Sequence, residues 1–421
     1  MQVLCRLRER GRPAFLVGGA LRDHALNRVI RDWDIATGVS AGEVLDMFPR
    51  VVPTGLRHGT VTVHHGGLAI EVSTFRGASI LDDLSHRDFT VDAMAFDPVG
   101  GALLDPHGGL QDLRRGVVKA VLDPTDRLRE DPVRALRALR MAAELGFGLD
   151  AATRRAIPKT ANALKTVAPE RIREEMTRLL LAPCPSGPLR RMRANGLLEA
   201  LLPELMEGHR LRQRRPAHGL SVLEHALHTV DRAPPTPRLR WAGLLHDVGK
   251  PRCRRPRKTA PSFPGHEEVS ASLAADVLTR LRFSIRERRE IVLLIRHHDL
   301  PDRAPPTDAE LRRFLLLVGP ERISDLLALR RADRLGCGLP DPCLAGLDDL
   351  ECRIRGVLRE TRGLRTLRPV LDGEDVKAIL GVGTGPELGD ILRRIQDRII
   401  EEPFVNTRQR LTAWLRGLRR N

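Results

Sequence analysis

Asp32, Asp34 and Glu71 are the acidic residues near the N-terminus whose types and spacing could do chemistry. Asp32 and Asp34 flank Trp33 at the head of a β-rich run. Residues i and i+2 of a strand project to one face, so both carboxylates can serve the same pair of Mg²⁺ ions. Glu71 stands between Ile70 and Val72 in the run Leu68–Thr74, an odd place for a carboxylate unless it faces a polar site or the strand is an edge. If the two strands are neighbours, the acids form a three-carboxylate cradle. Two metals held there could activate a 3′-hydroxyl and stabilise a pyrophosphate leaving group in an in-line displacement. A lone Asp-x-Asp is as readily a solvated turn, so the reading depends on what accompanies it. Buried acids lacking a metal would be costly to keep, which argues against a non-catalytic RNA-binding protein.

Gly18-Gly19 follows the run Ala14–Val17 and opens a helical stretch carrying Arg22 and Asp23. Paired glycines at a strand-to-helix turn let backbone N–H groups approach a phosphate, although a tight structural turn would look the same. A second set of chemically capable residues lies much later: His225, His246-Asp247, His266, His297-His298 and Asp333. Taken singly, each histidine reads as a surface or helix-cap residue.

The elements that must position these residues change character along the chain. The first ~120 residues alternate short β-rich runs (Ala14–Val17, Asp34–Ala36, Thr60–His64, Leu68–Thr74, Ala93–Phe96) with glycine turns, and add helices over Gly18–Asn27 and Ser40–Phe48, the latter capped by Ser40. From Asp126 onward Arg129–Leu145, Asp150–Thr160 and Pro169–Leu181 have helical periodicity. Cys184–Pro188 reads as a hinge. A histidine-bearing helical region runs from about His218 to Leu339, interrupted by Pro234–Pro237 and the basic loop Pro251–Pro264, and a last helical section ends in the basic tail Arg408–Arg420.

The 421-residue chain carries a formal net charge of +16, which favours a polyanionic partner over a membrane. It has no apolar run of the ~20 residues a membrane span needs and no secretory leader, so a cytoplasmic location is expected. With no tyrosine and 3% aromatics, base recognition by a ladder of aromatic stacks is excluded in favour of arginine planes and hydrogen bonds. The six cysteines form no CxxC pair and read as scattered reduced thiols.

Six motifs in order carry a family resemblance. Phe15-Leu-Val-Gly-Gly-Ala-Leu-Arg-Asp23 with Arg31-Asp-Trp-Asp-Ile-Ala-Thr37 resembles the first motif of class II tRNA nucleotidyltransferases and bacterial poly(A) polymerases. The likeness continues through Glu71-Val-Ser-Thr-Phe-Arg76, Asp83-Leu-Ser-His-Arg-Asp-Phe-Thr-Val-Asp-Ala93, Leu104-Asp-Pro-His-Gly-Gly-Leu-Gln-Asp-Leu113, Glu130-Asp-Pro-Val-Arg-Ala-Leu-Arg-Ala-Leu-Arg140 and Pro169-Glu-Arg-Ile-Arg-Glu-Glu175. The resemblance implies that Asp32 and Asp34 hold Mg²⁺ with Glu71 as third carboxylate. It implies that Gly18, Gly19 and Arg22 meet the triphosphate, that Arg87 contacts the nucleotide and that Asp88 orders the motif around it. A helix starting at Asp131 would be the base-reading element. There Asp131 and Arg134, spaced i and i+3, imitate the edge of a pairing base for CTP or ATP, while Arg137 and Arg140 suit phosphates.

The chain departs from that family in three places. Between Arg76 and Asp82 stand only Gly77-Ala-Ser-Ile-Leu81, where full CCA-adding members have a longer segment that helps switch the site from CTP to ATP. This favours the CC-adding subtype, with a companion A-adding enzyme completing the end; full CCA addition and poly(A) polymerase activity are the alternatives. His86 replaces the first of two arginines, weakening a phosphate contact. Asp92 replaces an asparagine tied to ribose recognition and cannot donate as an amide does.

The segment Ala242-Gly-Leu-Leu-His-Asp-Val-Gly-Lys250 resembles the signature of HD-domain phosphohydrolases. That resemblance implies one metal site from His225, His246, Asp247 and Asp333, and a second from His266 with His297 or His298, Asp247 bridging. Imidazole plus carboxylate suits Mn²⁺, Fe²⁺, Ni²⁺ or Zn²⁺. A hydrolytic centre or a degenerate RNA-binding scaffold would follow, and a metal-dependent phosphohydrolase is the second functional alternative.

The expected fold is thus α+β: a mixed α/β nucleotidyltransferase head of polymerase-beta-like type over 1–122, a helical neck over 123–184, a helical HD body over 185–345 and a helical tail over 346–421. The expected partners are tRNA and CTP, with ATP as an option, and no membrane.

Overall fold

A computed structural model of the chain describes residues 1–9, 11–56, 59–213, 219–255, 262–299, 306–337 and 344–418. His218 and Leu339, part of the loop Pro251–Pro264, Cys343 and the end of the basic tail lie outside them. The chain divides into two compact units, Met1–Met206 with Arg280–Arg282, and Glu207–Thr279 with Phe283–Asn421.

The first unit opens with a seven-stranded mixed sheet: β1 (Ala14–Val17), β2 (Trp33–Thr37), β3 (Val51–Gly55), β4 (Thr60–His65), β5 (Leu68–Thr74), β6 (Ala95–Phe96) and β7 (Leu103–Leu104), in the order β3-β4-β5-β2-β1-β6-β7. Within this sheet only β2 and β5 run parallel; β1 is antiparallel to β2 and to β6, and β3–β4–β5 form an antiparallel meander. Strands alternate their side chains, so the sheet has two distinct faces. Ile35, Val61, Val63, Ile70 and Val72 pack in one core with Val3, Leu4 and Leu7 of helix Gln2–Arg8 and Val44 and Met47 of helix Ala41–Met47. Val17, Ala36 and Ala95 pack on Ile80 and Leu84 in another. Ser40 caps Ala41–Met47 as expected, in a reciprocal capping box with Glu43.

Four strands escaped the sequence reading: β3, β7 and the two-residue strands Val117–Val118 and Gly148–Leu149, which pair in a separate small sheet. β3 carries a proline and has mostly exposed side chains, so it shows no apolar alternation. β7 is two residues long. The expected strand start at Ala93 moves to Ala95, because Thr90–Asp92 forms a 3₁₀ turn first.

After the sheet the described chain is almost wholly helical. The expected helix Arg129–Leu145 is two helices, Pro124–Glu130 and Val133–Leu145, separated by an extended Asp131 (φ −143°, ψ 97°). The cause is Pro132, whose ring disfavours a helical conformation in the residue before it. Asp150–Thr160 likewise resolves into Ala151–Ala156 and a 3₁₀ turn containing Pro158. Helix Pro169–Leu180 follows, and Cys184 lies just ahead of Ser186–Ala194 in the same unit.

The second unit is a helical bundle in which Val222–Arg232, Pro237–Leu245, Ile285–Arg296 and Ile323–Gly336 pack around one core. Among the described residues no helix is long and apolar enough to cross a membrane. Cys5, Cys184, Cys253, Cys337 and Cys352 are free thiols.

Candidate functional site

The parallel register of β2 and β5 sets Asp34 directly beside Glu71. Asp32, two residues before Asp34, lines the same cavity of about 910 Å³, and so does Glu71. Among the described residues, no side-chain hydrogen bond or ion pair engages Asp32, Asp34 or Glu71. Burial, and then the neighbouring Glu71, push the Asp34 carboxyl up to about 6. Adjacent acids without compensating donors form a donor set suited to hard cations, so the residues fit Mg²⁺. Contrary to the expectation of buried acids, Asp32 and Glu71 are exposed and Asp34 is half-buried, so no burial cost bears on their retention. The three are also splayed rather than clustered within 4.8 Å, unlike the tighter groups below.

Gly18 and Gly19 border this cavity at the start of helix Gly19–Ala25. Gly18 has φ +73°, and a Cβ there would lie 2.9 Å from both Arg87 Nη1 and Asp34 Oδ2. Only glycine serves at that position.

The cations expected to meet a nucleotide are present on the cavity wall, but most are engaged by carboxylates. Arg22 pairs with Asp23 at 3.0 Å and Asp92 at 2.7 Å. Arg87 Nε reaches the buried Asp83 at 3.3 Å, and its Nη1 donates to the Asp92 carbonyl at 3.5 Å. Asp88 is gripped by Arg134 at 2.5 Å and by Arg137. Burial opposes the charge on Asp88, yet Arg137 and then Arg134 hold its carboxyl below the ordinary value. Helix Pro169–Leu180 contributes Glu175, which accepts from Arg137 Nε at 2.9 Å and Arg140 Nε at 2.6 Å; Arg140 also pairs with Glu144. His86 turns back to the Asp82 carbonyl and is not on the cavity wall.

The expectation that Asp131 and Arg134 share one helix face is corrected by the break at Pro132: Asp131 lies outside helix Val133–Leu145. Both residues still line the cavity. Arg134 is buried against Asp88, Glu130 and the Arg127 carbonyl, and Asp131 is held by both terminal nitrogens of Arg171, at 2.6 and 3.2 Å. Sequence reasoning missed Asp83, Glu130 and Arg171 as parts of this wall, and Glu175 as the carboxylate that holds two of its arginines. A carboxylate or arginine in an amphipathic helix gives no sign of which distant charge it meets.

In the second unit, six of the seven expected residues converge. His225 Nε2 lies 2.9 Å from Asp333 Oδ1, 3.2 Å from His246 Nε2 and 3.4 Å from Asp247 Oδ2; His246 Nε2 lies 3.2 Å from Asp247 Oδ2. Donors each ~2.0–2.2 Å from one ion are separated by roughly these distances. The other oxygen of Asp247, Oδ1, faces His266 Nε2 at 3.2 Å and His298 Nε2 at 3.6 Å. It is buried and, among the described residues, has no aligned hydrogen-bond donor, an orphaned acceptor that a cation would satisfy. His246, His266 and His298 each donate Nδ1–H to the carbonyl of the residue three positions back, at 2.7 to 2.9 Å, which turns every Nε2 inward. His225 Nδ1 instead faces the Cys337 thiol at 3.7 Å. Lys250 reaches Asp247 Oδ2 at 2.5 Å. The cluster fits one or two transition-metal ions. His297 stands apart from it: its ring packs edge-on against Phe314, and the pair His297-His298 supplies only His298 to the cluster. Adjacent residues on a helix end point in different directions, which spacing alone could not resolve.

Known proteins share these features. The family described as "Poly A polymerase head domain" matches residues 14–119, "Probable RNA and SrmB- binding site of polymerase A" matches 146–208, and "HD domain" matches 217–336. An A-adding tRNA nucleotidyltransferase of Deinococcus radiodurans is 37% identical over 91% of each chain. A CC-adding tRNA nucleotidyltransferase of Thermus thermophilus is 34% identical, covering 96% of this chain and 93% of that one. The crystal structure of the Bacillus stearothermophilus CCA-adding enzyme in complex with CTP superposes with a TM-score of 0.78 at 27% identity, over 100% of this chain and 96% of that one. With near-full-length relatives of all three specificities and its own carboxylate-lined cavity, this chain belongs to the tRNA nucleotidyltransferases, as a nucleotidyltransferase enzyme with an HD domain.

Proposed function

We propose that this enzyme is of the CC-adding subtype, transferring two cytidines from CTP to the 3′ end of tRNA and leaving the terminal adenosine to a companion A-adding enzyme. The observation that carries the reading is the turn after Arg76. Gly77, Ala78 and Ser79 pass directly into helix Ile80–Ser85. The Asp82 carboxylate accepts from the Ala78 and Ser79 backbones at 3.1 and 2.9 Å, and Asp83 accepts from the Arg76 backbone at 3.0 Å. A five-residue link closed by its own capping box has no slack with which to reshape the base pocket for a second nucleotide.

In this reading Asp32, Asp34 and Glu71 would hold Mg²⁺, which when bound would polarise the reacting phosphate and favour the 3′-oxyanion. Gly18 and Gly19 leave room for the triphosphate, and Arg22 and Arg87 orient it. Asp131 and Arg134 read the base, with Arg137 and Arg140 behind them. Residues 1–122 act as the head and 123–184 as the neck. The basic segments 185–345 and 346–421 grip tRNA through phosphates, a contact that weakens steeply with salt.

A second activity is supported by the orphaned Asp247 Oδ1 and the inward-turned imidazoles: metal-dependent phosphoester hydrolysis at His225, His246, Asp247, His266, His298 and Asp333. A Mn²⁺, Fe²⁺, Ni²⁺ or Zn²⁺ ion there would supply a bound hydroxide.

The test is incubation of tRNA lacking its 3′ end, and of tRNA ending in CC, with labelled CTP, ATP or both. Two C additions and no A are expected; C, C and A together would make it the full CCA-adding enzyme, A on a CC end the A-adding one, and a long A tail a poly(A) polymerase.

A further inference from the structure

The two halves of the base-reading edge are held very differently. Arg134 is immobilised by three partners: Asp88, Glu130 and the Arg127 carbonyl. Asp131 stands in the extended link between two helices, so no helix fixes its side chain. Its carboxylate meets the Val133 backbone at 3.4 Å and otherwise, among the described residues, Arg171 alone, which engages both oxygens from the start of helix Pro169–Leu180.

We propose that Arg171 is a specificity-determining positioning residue, fixing the plane of the Asp131 carboxylate so that the edge it forms with Arg134 accepts cytosine and disfavours adenine. This rests on the reading of Asp131 and Arg134 as the base-recognition pair. A planar guanidinium bonded to both oxygens fixes the rotation of a carboxylate, which a point charge cannot do. Each oxygen keeps a further lone pair, so Asp131 can still accept from an exocyclic amine while paired. Cytosine and adenine both present an amine beside a ring nitrogen, but their rings differ in size and place the amine at different distances from the sugar. An acceptor fixed against an immobile Arg134 can be in register with only one of them. An acceptor free to rotate can follow either. Arg171 is half exposed at the cavity rim, so its replacement leaves the buried packing intact.

The experiment compares kcat/KM for CTP and ATP on tRNA lacking its 3′ end, for the unaltered enzyme and for Arg171→Lys, Arg171→Ala and Asp131→Ala. Lysine keeps the charge but not the two-point bond. Both Arg171 variants should lower the CTP:ATP ratio by about tenfold, through a gain in ATP use with kcat for CTP within a few-fold of unaltered. A merely structural role would lower both nucleotides together. A preserved ratio in Arg171→Lys and Arg171→Ala, with the ratio lost in Asp131→Ala, overturns the role of Arg171 alone. A ratio preserved in Asp131→Ala as well overturns the base-reading assignment and the inference with it.

Discussion

The head cavity and the histidine cluster are both built for cations, yet they are opposite constructions. In the head, Asp32 and Glu71 are exposed, their oxygens splayed, and the surrounding arginines are parked on carboxylates. In the helical unit, His225, His246, Asp247 and His298 are buried, and donor atoms stand about one ligand edge apart. The difference follows from what each must admit. In the proposed reading the head cavity receives a triphosphate; such a cavity must stay wide and wet, and its ion-paired arginines would be available for a polyanion to displace. A cluster among packed helices is pre-organised by backbone carbonyls and leaves little for a ligand to rearrange.

Several measurements would break or sharpen that contrast. The largest effect is expected from Asp34→Ala or Asp32→Ala, which should cut nucleotide incorporation by about a thousandfold or more with tRNA binding nearly unchanged. His246→Ala should leave incorporation intact; if it abolished incorporation while Asp34→Ala did not, the roles of the two sites would be reversed.

Glu175→Ala comes next. It removes the partner that buried Arg140 and its neighbour Arg137 share, leaving them Glu144 and Asp88, and should cost about 2 kcal/mol, read by denaturant unfolding. The same residue sets an acid limit. Burial tends to raise the Glu175 carboxyl, but Arg140 and Arg137 hold it below its ordinary 4.5. Its folded value is therefore the lower one. Its contribution is complete above the unfolded value near 4.5 and is lost as the pH falls through the folded one. Unfolding curves between pH 7 and 3 should show that loss in the unaltered protein and a smaller one in Glu175→Gln.

For the histidine cluster, adding Mn²⁺ or Zn²⁺ at about a hundred times its dissociation constant should stabilise the protein by about 2.7 kcal/mol, and His246→Ala or Asp247→Asn should abolish the gain. A metal response that survived in both variants would move the site elsewhere. The smallest effect belongs to Ser40→Ala, where losing the capping box should cost about 1 kcal/mol with no change in either site.

Local patterns were legible where a single element sets them. The alternation of Leu68–Thr74, the Ser40 cap and the spacing of Asp32 and Asp34 required no partner to interpret. The motif order pointed to both sites. β3 and β7 were not legible, being edge or minimal strands without alternation. The Pro132 break was legible in principle, since Asp131 precedes a proline.

By itself, then, the chain determined which residues could bind metal or phosphate and which short segments would be strand or helix, because those properties reside in residue type and local period. Tertiary structure alone decided that Asp34 stands beside Glu71, that Arg171 holds Asp131, that His298 rather than His297 joins Asp247, and that most of the cavity arginines are already paired. Each of those depends on the register of a strand or the rotation of a helix relative to another element, and no local spacing encodes it.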